Sequence, residues 1–138
     1  MSIVEDKNLS VVGEYTETFN DLTAAALPCG PIYMSEGFSI HIRKRHPGYV
    51  QYIGRVSEII TSPDYIGCNP KEPDSIELVK VFDENILLAI KLDKKRDYLY
   101  VASLYDVNTS KIERRLAGGR LKAYDKACPE KKNHVDNG

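Results

Sequence analysis

The sequence holds only three cysteines, Cys29, Cys68 and Cys128. That odd number, at such wide spacings, fits neither a disulfide framework nor a zinc knuckle, and the residues read as structural thiols. No uninterrupted apolar run approaches the roughly 20 residues that a membrane-spanning helix needs. Residues 1–13 carry acidic groups where a signal peptide has a basic start and an apolar stretch, so the expectation is a cytosolic protein without membrane contact. Internal repeats and low-complexity tracts are absent as well. Positive charge is scarce at the start: residues 1–40 carry one lysine against six acidic residues.

What is there belongs to a globular domain. The 138 residues are 42% apolar and 28% charged, enough chain for one core of ordinary size. The net charge of -1 hides an uneven distribution. Lys and Arg stand at 4 against 0 acidic residues over 41–55, at 2 against 7 over 56–90, and at 12 against 7 over 91–138. Such blocks either cancel across the surface or fold into one basic face and one acidic back.

Leu9 to Phe19 has strand-like content and precedes the breaker Pro28-Cys29-Gly30-Pro31, which predicts an edge strand followed by a loop. Ser35 offers an N-cap for a short helix that runs to His46, and Pro47 ends it, because the residue before a proline is pushed out of the α region. Tyr49, Tyr52, Ile53, Val56, Ile59 and Ile60 then fall at amphipathic helical spacing, with Gly54 placed to divide the segment. After Pro63 the period changes. Ser75–Phe82, Asn85–Leu92 and Tyr98–Tyr105 read as three strands of an antiparallel meander, and Asp64–Cys68 could add a further one. Asn108 or Thr109 caps a last helix that Gly118-Gly119 terminates. Residues 1–126 are read as one α+β domain with helices packed on one sheet face, and 127–138 as a disordered tail.

The string most able to carry chemistry is His41-Ile42-Arg43-Lys44-Arg45-His46-Pro47. Five residues turn a helix by about 500°, which leaves the two imidazoles roughly 140° apart on a continuous helix. Pro47, by forcing His46 out of helical geometry, allows its ring to swing back toward His41 and Arg45. Two imidazoles can divide the roles of general base and general acid, and arginines can hold phosphate oxygens in pairs. The plainer reading is a capped helix with a solvated cationic face. Zinc is disfavoured, since no carboxylate or cysteine stands at ligand spacing and the histidines are not an i, i+4 pair. Lys91 and Ser103 interrupt apolar strands. A three-residue turn at Lys94–Arg96 puts Lys91 on one face with Leu99, Val101, Ser103 and Tyr105, whereas a two-residue turn separates them. Asp64 is either a binding carboxylate or a turn residue. Lys111, Arg114, Arg115, Arg120 and Lys122 either track a nucleic-acid backbone or form an exposed helix face.

The strings HIRKRHP, SPDYIG, ILLAIKLD, YLYVASLYD and ERRLAGGRLK together resemble the nuclease domains of phage polyvalent proteins and mobile elements. These belong to the superfamily named for barnase, EndoU, colicin and RelE. The similarity spans about Val11 to Lys122. It implies N-terminal helices on a four-stranded antiparallel sheet, with an active site on the open sheet face that uses no metal or other cofactor. It also implies cleavage of RNA, with tRNA among the candidates, through the 2′-hydroxyl to a cyclic phosphate. By the resemblance, His46 and His41 match the motif histidines, Lys91 the strand lysine and Ser103 the strand serine. Arg43, Arg45, Asp64, Tyr105, Arg114 and Arg115 are the expected substrate-binding residues. A toxin or effector of this kind acts in the cytoplasm, including that of a cell into which phage delivers it, and needs an antitoxin or immunity protein as partner. The competing expectations are an inactive RNA- or protein-binding module and a structural phage component.

Overall fold

The computed structural model describes residues 8–124; the expected tail at 127–138, and Cys128 with it, lie outside the described residues. Strands β1 (Leu9–Tyr15), β2 (Gly30–Ser35), β3 (Tyr65–Gly67), β4 (Ser75–Val81), β5 (Asn85–Asp93), β6 (Tyr98–Asp106) and β7 (Leu121–Ala123) form one sheet. Its order is β1-β2-β6-β5-β4-β3-β7. Helices α1 (Glu17–Leu22), α2 (Glu36–Arg45), α3 (Val50–Ile53), α4 (Val56–Thr61) and α5 (Thr109–Gly118) complete the fold.

The expected α+β class and central meander are present, but the sheet has seven strands, not four, and it is mixed, because β2 runs parallel to β6. The strands beyond the meander carry weak signals. At Pro31, β2 is paired with β1 alone, so the missing proline N–H interrupts no ladder on the β6 side. The Cys29-Gly30-Pro31 breaker therefore leads directly into a strand where a loop was expected. β3 and β7 have three residues each, too few for a periodic pattern.

The core explains the strand compositions. Ile86, Leu88 and Ile90 of β5 pack with Tyr52, Val56, Ile59 and Ile60 of α3 and α4 on one face. On the other face, Leu87 and Ala89 meet Val79, Ile112 of α5 and Leu121. A strand buried on both sides reads as a continuous apolar run. Helices therefore cover both faces of the sheet, and the expectation of a single covered face is corrected by α5. The Ser35 side chain caps α2 by accepting from the Phe38 N–H at 3.0 Å. Asn108 caps α5 by accepting from the Lys111 N–H at 2.7 Å, and Gly119, at φ 85°, closes that helix in the left-handed conformation that favours glycine. The helical segment after Pro47 is a 3₁₀ turn followed by α3 and α4, which part at Gly54 and Arg55.

The β5–β6 connection settles which side chains share a face. Asp93 pairs with Tyr98, and its carboxylate accepts from the Lys95 and Arg96 N–H groups, each at 3.0 Å. The turn thus has four residues, neither of the lengths expected. A register shift between Ala89 and Ile90 then sets Lys91 opposite Tyr100 and Ser103 opposite Ala89. Lys91, Ser103 and Tyr105 lie on one face as the three-residue turn implied, while buried Leu99 and Val101 occupy the other.

Candidate functional site

β2 pairs with β6 only through Ile32–Leu99 and Tyr33–Tyr100. Beyond Ser35 the chain becomes α2, so the outer edge of β6 from Ala102 to Tyr105 meets a helix in place of a strand. The space between them is a cleft of about 320 Å³. His41 and His46 line it from the α2 side, and Ser103 and Tyr105 from β6, with Phe38 and Ile42 at its apolar wall.

The two imidazoles meet although their spacing on an unbroken helix would part them. His46 is the C-cap of α2, at φ -139° and ψ 59°, the non-helical geometry that Pro47 enforces. Its ring lies 5.5 Å from that of His41, edge to face at 64°. On its other side His46 stacks on Tyr49, with centroids 5.8 Å apart and planes 21° apart. The Tyr49 hydroxyl donates to the Asp106 carboxylate, and this hydrogen bond raises the Tyr49 pKa above the ordinary phenol range, so Tyr49 stays protonated. A line of contacts therefore runs His41, His46, Tyr49, Asp106, from α2 to the end of β6. Both histidines are exposed, so a ligand in the cleft can reach them.

The other expected residues separate. Lys91 does not line this cleft. It lines another, with Glu72, Asp74 and Ser75, and its ammonium pairs with Glu72 at 2.7 Å; that hydrogen bond, opposed by partial burial, raises its pKa. The Asp64 carboxylate accepts from the Val81 N–H at 2.7 Å, and its backbone bonds to Val79 and Tyr124, which makes it a tie between strand ends away from the histidines. Arg43 lines a hollow with Asn8, Ser10 and Glu36, on a different side of α2. Arg45 and Arg114 are exposed. Arg115 instead turns inward, with only 15% of its side chain exposed, toward Glu77.

Glu77 is the polar residue that sequence reasoning passed over. It is buried at 3% exposure in the middle of β4, where it receives two hydrogen bonds from Arg120, Nε to Oε1 at 3.2 Å and Nη2 to Oε2 at 2.9 Å. Its signal was a lone carboxylate in the apolar strand SIELVKV. Tyr49 and Asp106 also went unmarked, Tyr49 because its spacing assigned it to an amphipathic helix and Asp106 because a strand-end acid carries no distinguishing pattern. Tyr105 connects the two groups. It faces the cleft, and its pKa is raised by burial and by Glu77, against the lowering pull of Arg115 and Arg120.

Among the described residues no group of three or more His, Cys, Asp or Glu side chains could hold a metal ion, and no helix is long and apolar enough to cross a membrane. Cys29 and Cys68 are free thiols, and neither lines the histidine cleft.

No curated protein and no solved structure matches the chain. A family model described as phage-Barnase-EndoU-ColicinE5/D-RelE like nuclease3 matches residues 10–114, a span that runs from the second residue of β1 into α5 and contains every residue lining the histidine cleft. The chain belongs to the phage-Barnase-EndoU-ColicinE5/D-RelE like nuclease family.

Proposed function

We propose that the protein is a metal-independent endoribonuclease of the toxin or effector type, with its reaction centre in the cleft between α2 and β6. The observation that carries this reading is the pair of imidazoles with ring centroids 5.5 Å apart in one cleft with Ser103 and Tyr105. In RNA transesterification the 2′-oxygen attacks the adjacent phosphorus, its proton passes to a base, and the 5′-oxygen departs with a proton from an acid. A 2′,3′-cyclic phosphate and a 5′-hydroxyl remain. His41 and His46 supply one base and one acid, which is the division of labour two neighbouring histidines can sustain near neutral pH. Ser103 and Tyr105 donate to the non-bridging phosphate oxygens, where charge builds in the transition state. Tyr49, stacked on His46 and tied to Asp106, fixes that ring.

Arg45, exposed beside His46, holds a neighbouring phosphate, and Arg114 adds to the electrostatic attraction of the strand. Lys91 shares the sheet face of Ser103 but stands outside the cleft lining, so its contribution is to the field and not to the reacting atoms. A protein with this activity acts where RNA is, in the cytoplasm, and the cell that makes it needs an antitoxin or immunity protein; the exposed cleft is the surface such a partner would cover.

The test is incubation of purified protein with total RNA or tRNA in EDTA, followed by analysis of product ends. The expected result is cleavage with 2′,3′-cyclic phosphate and 5′-hydroxyl ends, with 2′-O-methyl RNA left intact. Loss of cleavage in chelator, or cleavage of the 2′-O-methyl strand, overturns the mechanism. RNA binding without cleavage of any RNA places the chain among inactive binding modules.

A further inference from the structure

The Glu77 cluster is built at a cost that the fold does not require. A carboxylate in the middle of a buried strand gives up its hydration, and an apolar side chain of similar volume would fill the same place with less penalty. Glu77 lies in a cross-strand row with Ala89 and Ser103. With strands about 4.8 Å apart, it stands about 10 Å from the catalytic edge, with only the Ala89 methyl between. Two guanidiniums converge on it: Arg120 binds both oxygens, and Arg115 Nη1 stands 3.9 Å from Oε1. Two cations on one carboxylate leave one positive charge over. Arg115 Nη1 is also buried without a hydrogen-bond partner, which is costly for a charged donor.

The surplus positive charge is of the kind an anion repairs. The cluster is open to one, since 26% of the Arg120 side chain is exposed, and Tyr105, opposite Leu87 and two residues on from Ser103, stands on the sheet face of Glu77 and also lines the histidine cleft. The local fold is shaped to bring Arg120 here. Gly67 lies next to Glu77 in the β3–β4 register, and a Cβ on Gly67 would stand 1.9 Å from the Arg120 carbonyl oxygen. Only glycine lets the turn after α5 come down close enough for Arg120 to reach Glu77. Arg115 and Arg120 both lie beyond the residues that the family model matches, which end at 114.

We propose that Arg115 and Arg120 form a second phosphate subsite beside Tyr105, which holds the substrate strand where it leaves the histidine cleft, and that Glu77 is the positioning residue that fixes both guanidiniums. The subsite deepens the endoribonuclease reading, on which the identity of the strand rests. Its ligand is a backbone phosphate of single-stranded RNA, and it reads no base.

The experiment measures the affinity of an uncleavable 2′-O-methyl oligoribonucleotide as a function of salt, so that binding is read whether or not the protein cleaves. Arg120→Gln should lower the slope of log K against log salt by about 0.7, the share of one single-stranded phosphate contact, and Arg120→Lys should restore it. Glu77→Gln adds a positive charge to the cluster while releasing both arginines. Weaker binding despite that added charge marks positioning, and tighter binding overturns it. An unchanged slope in Arg120→Gln, with only the melting temperature lowered, shows a structural ion cluster and sinks the subsite. If the wild-type protein binds with the expected slope change but cleaves no RNA, the subsite stands and the nuclease mechanism falls.

Discussion

The histidine cleft and the Glu77 cluster flank Tyr105, and they are made in opposite ways. His41 and His46 are exposed, sit on one helix and its cap, and owe their meeting to a backbone break at Pro47. Glu77, Arg115 and Arg120 are drawn from β4, α5 and the turn before β7, and they meet only because the sheet is assembled. The histidine pair is local in sequence and open to solvent; the Glu77 cluster is long-range and largely buried. On the proposed reading, the charge that moves protons is left accessible and the charge that holds a strand is fixed by partners in the core.

The largest effect that sharpens this contrast is expected at the open site. His46→Ala should reduce RNA cleavage by about 10²- to 10⁴-fold, the usual toll of a lost acid or base, while melting temperature and RNA affinity stay near wild type because the ring is exposed. Loss of binding in step with cleavage would break the distinction between the two regions. At the buried site the expected signature is reversed. Gly67→Ala forces a Cβ against the Arg120 carbonyl at 1.9 Å, so unfolding titrations should show a loss of about 1–3 kcal/mol, together with weaker RNA binding as Arg120 is displaced.

Smaller effects test the scaffold. Asn108→Ala removes the cap that accepts from the Lys111 N–H and should cost about 1 kcal/mol, read in the same titrations. Lys91→Met should change cleavage less than His46→Ala, since Lys91 lies outside the cleft. Because Glu72 raises the Lys91 pKa, the stability this pair contributes is fully present below the ordinary lysine value of about 10.4 and is lost as pH rises through the folded value. At 36% side-chain exposure the contribution is a few tenths of a kcal/mol, about the worth of a surface pair. Comparison of wild type and Lys91→Met from pH 7 upward should therefore show a small gap that narrows as pH rises past the ordinary lysine value.

The division between local and long-range also marks what could be read in the sequence. The caps at Ser35 and Asn108, the break at Pro47 and the meander of β4 to β6 were legible because each is written in a few adjacent residues. The histidine pair was legible for the same reason. β2 was not, since Pro31 signals a breaker and only the absence of a β6 partner at that position makes it tolerable. The face shared by Lys91 and Ser103 depended on a four-residue turn and a register shift, neither of which strand alternation reveals. Lys91, grouped with the histidines on sequence grounds, instead pairs with Glu72. Glu77 was hidden because a carboxylate in a strand acquires meaning only when Arg120, 43 residues later, is known to bind it.

The division of acid and base between two histidines is tested most directly by the pH dependence of kcat/KM for RNA cleavage in the wild-type protein, His41→Ala and His46→Ala. The wild type should give a bell-shaped profile, as one essential base and one essential acid require. Each variant should lose one limb of the bell, and not the same limb. Profiles that keep both limbs in either variant would contradict the two-histidine mechanism.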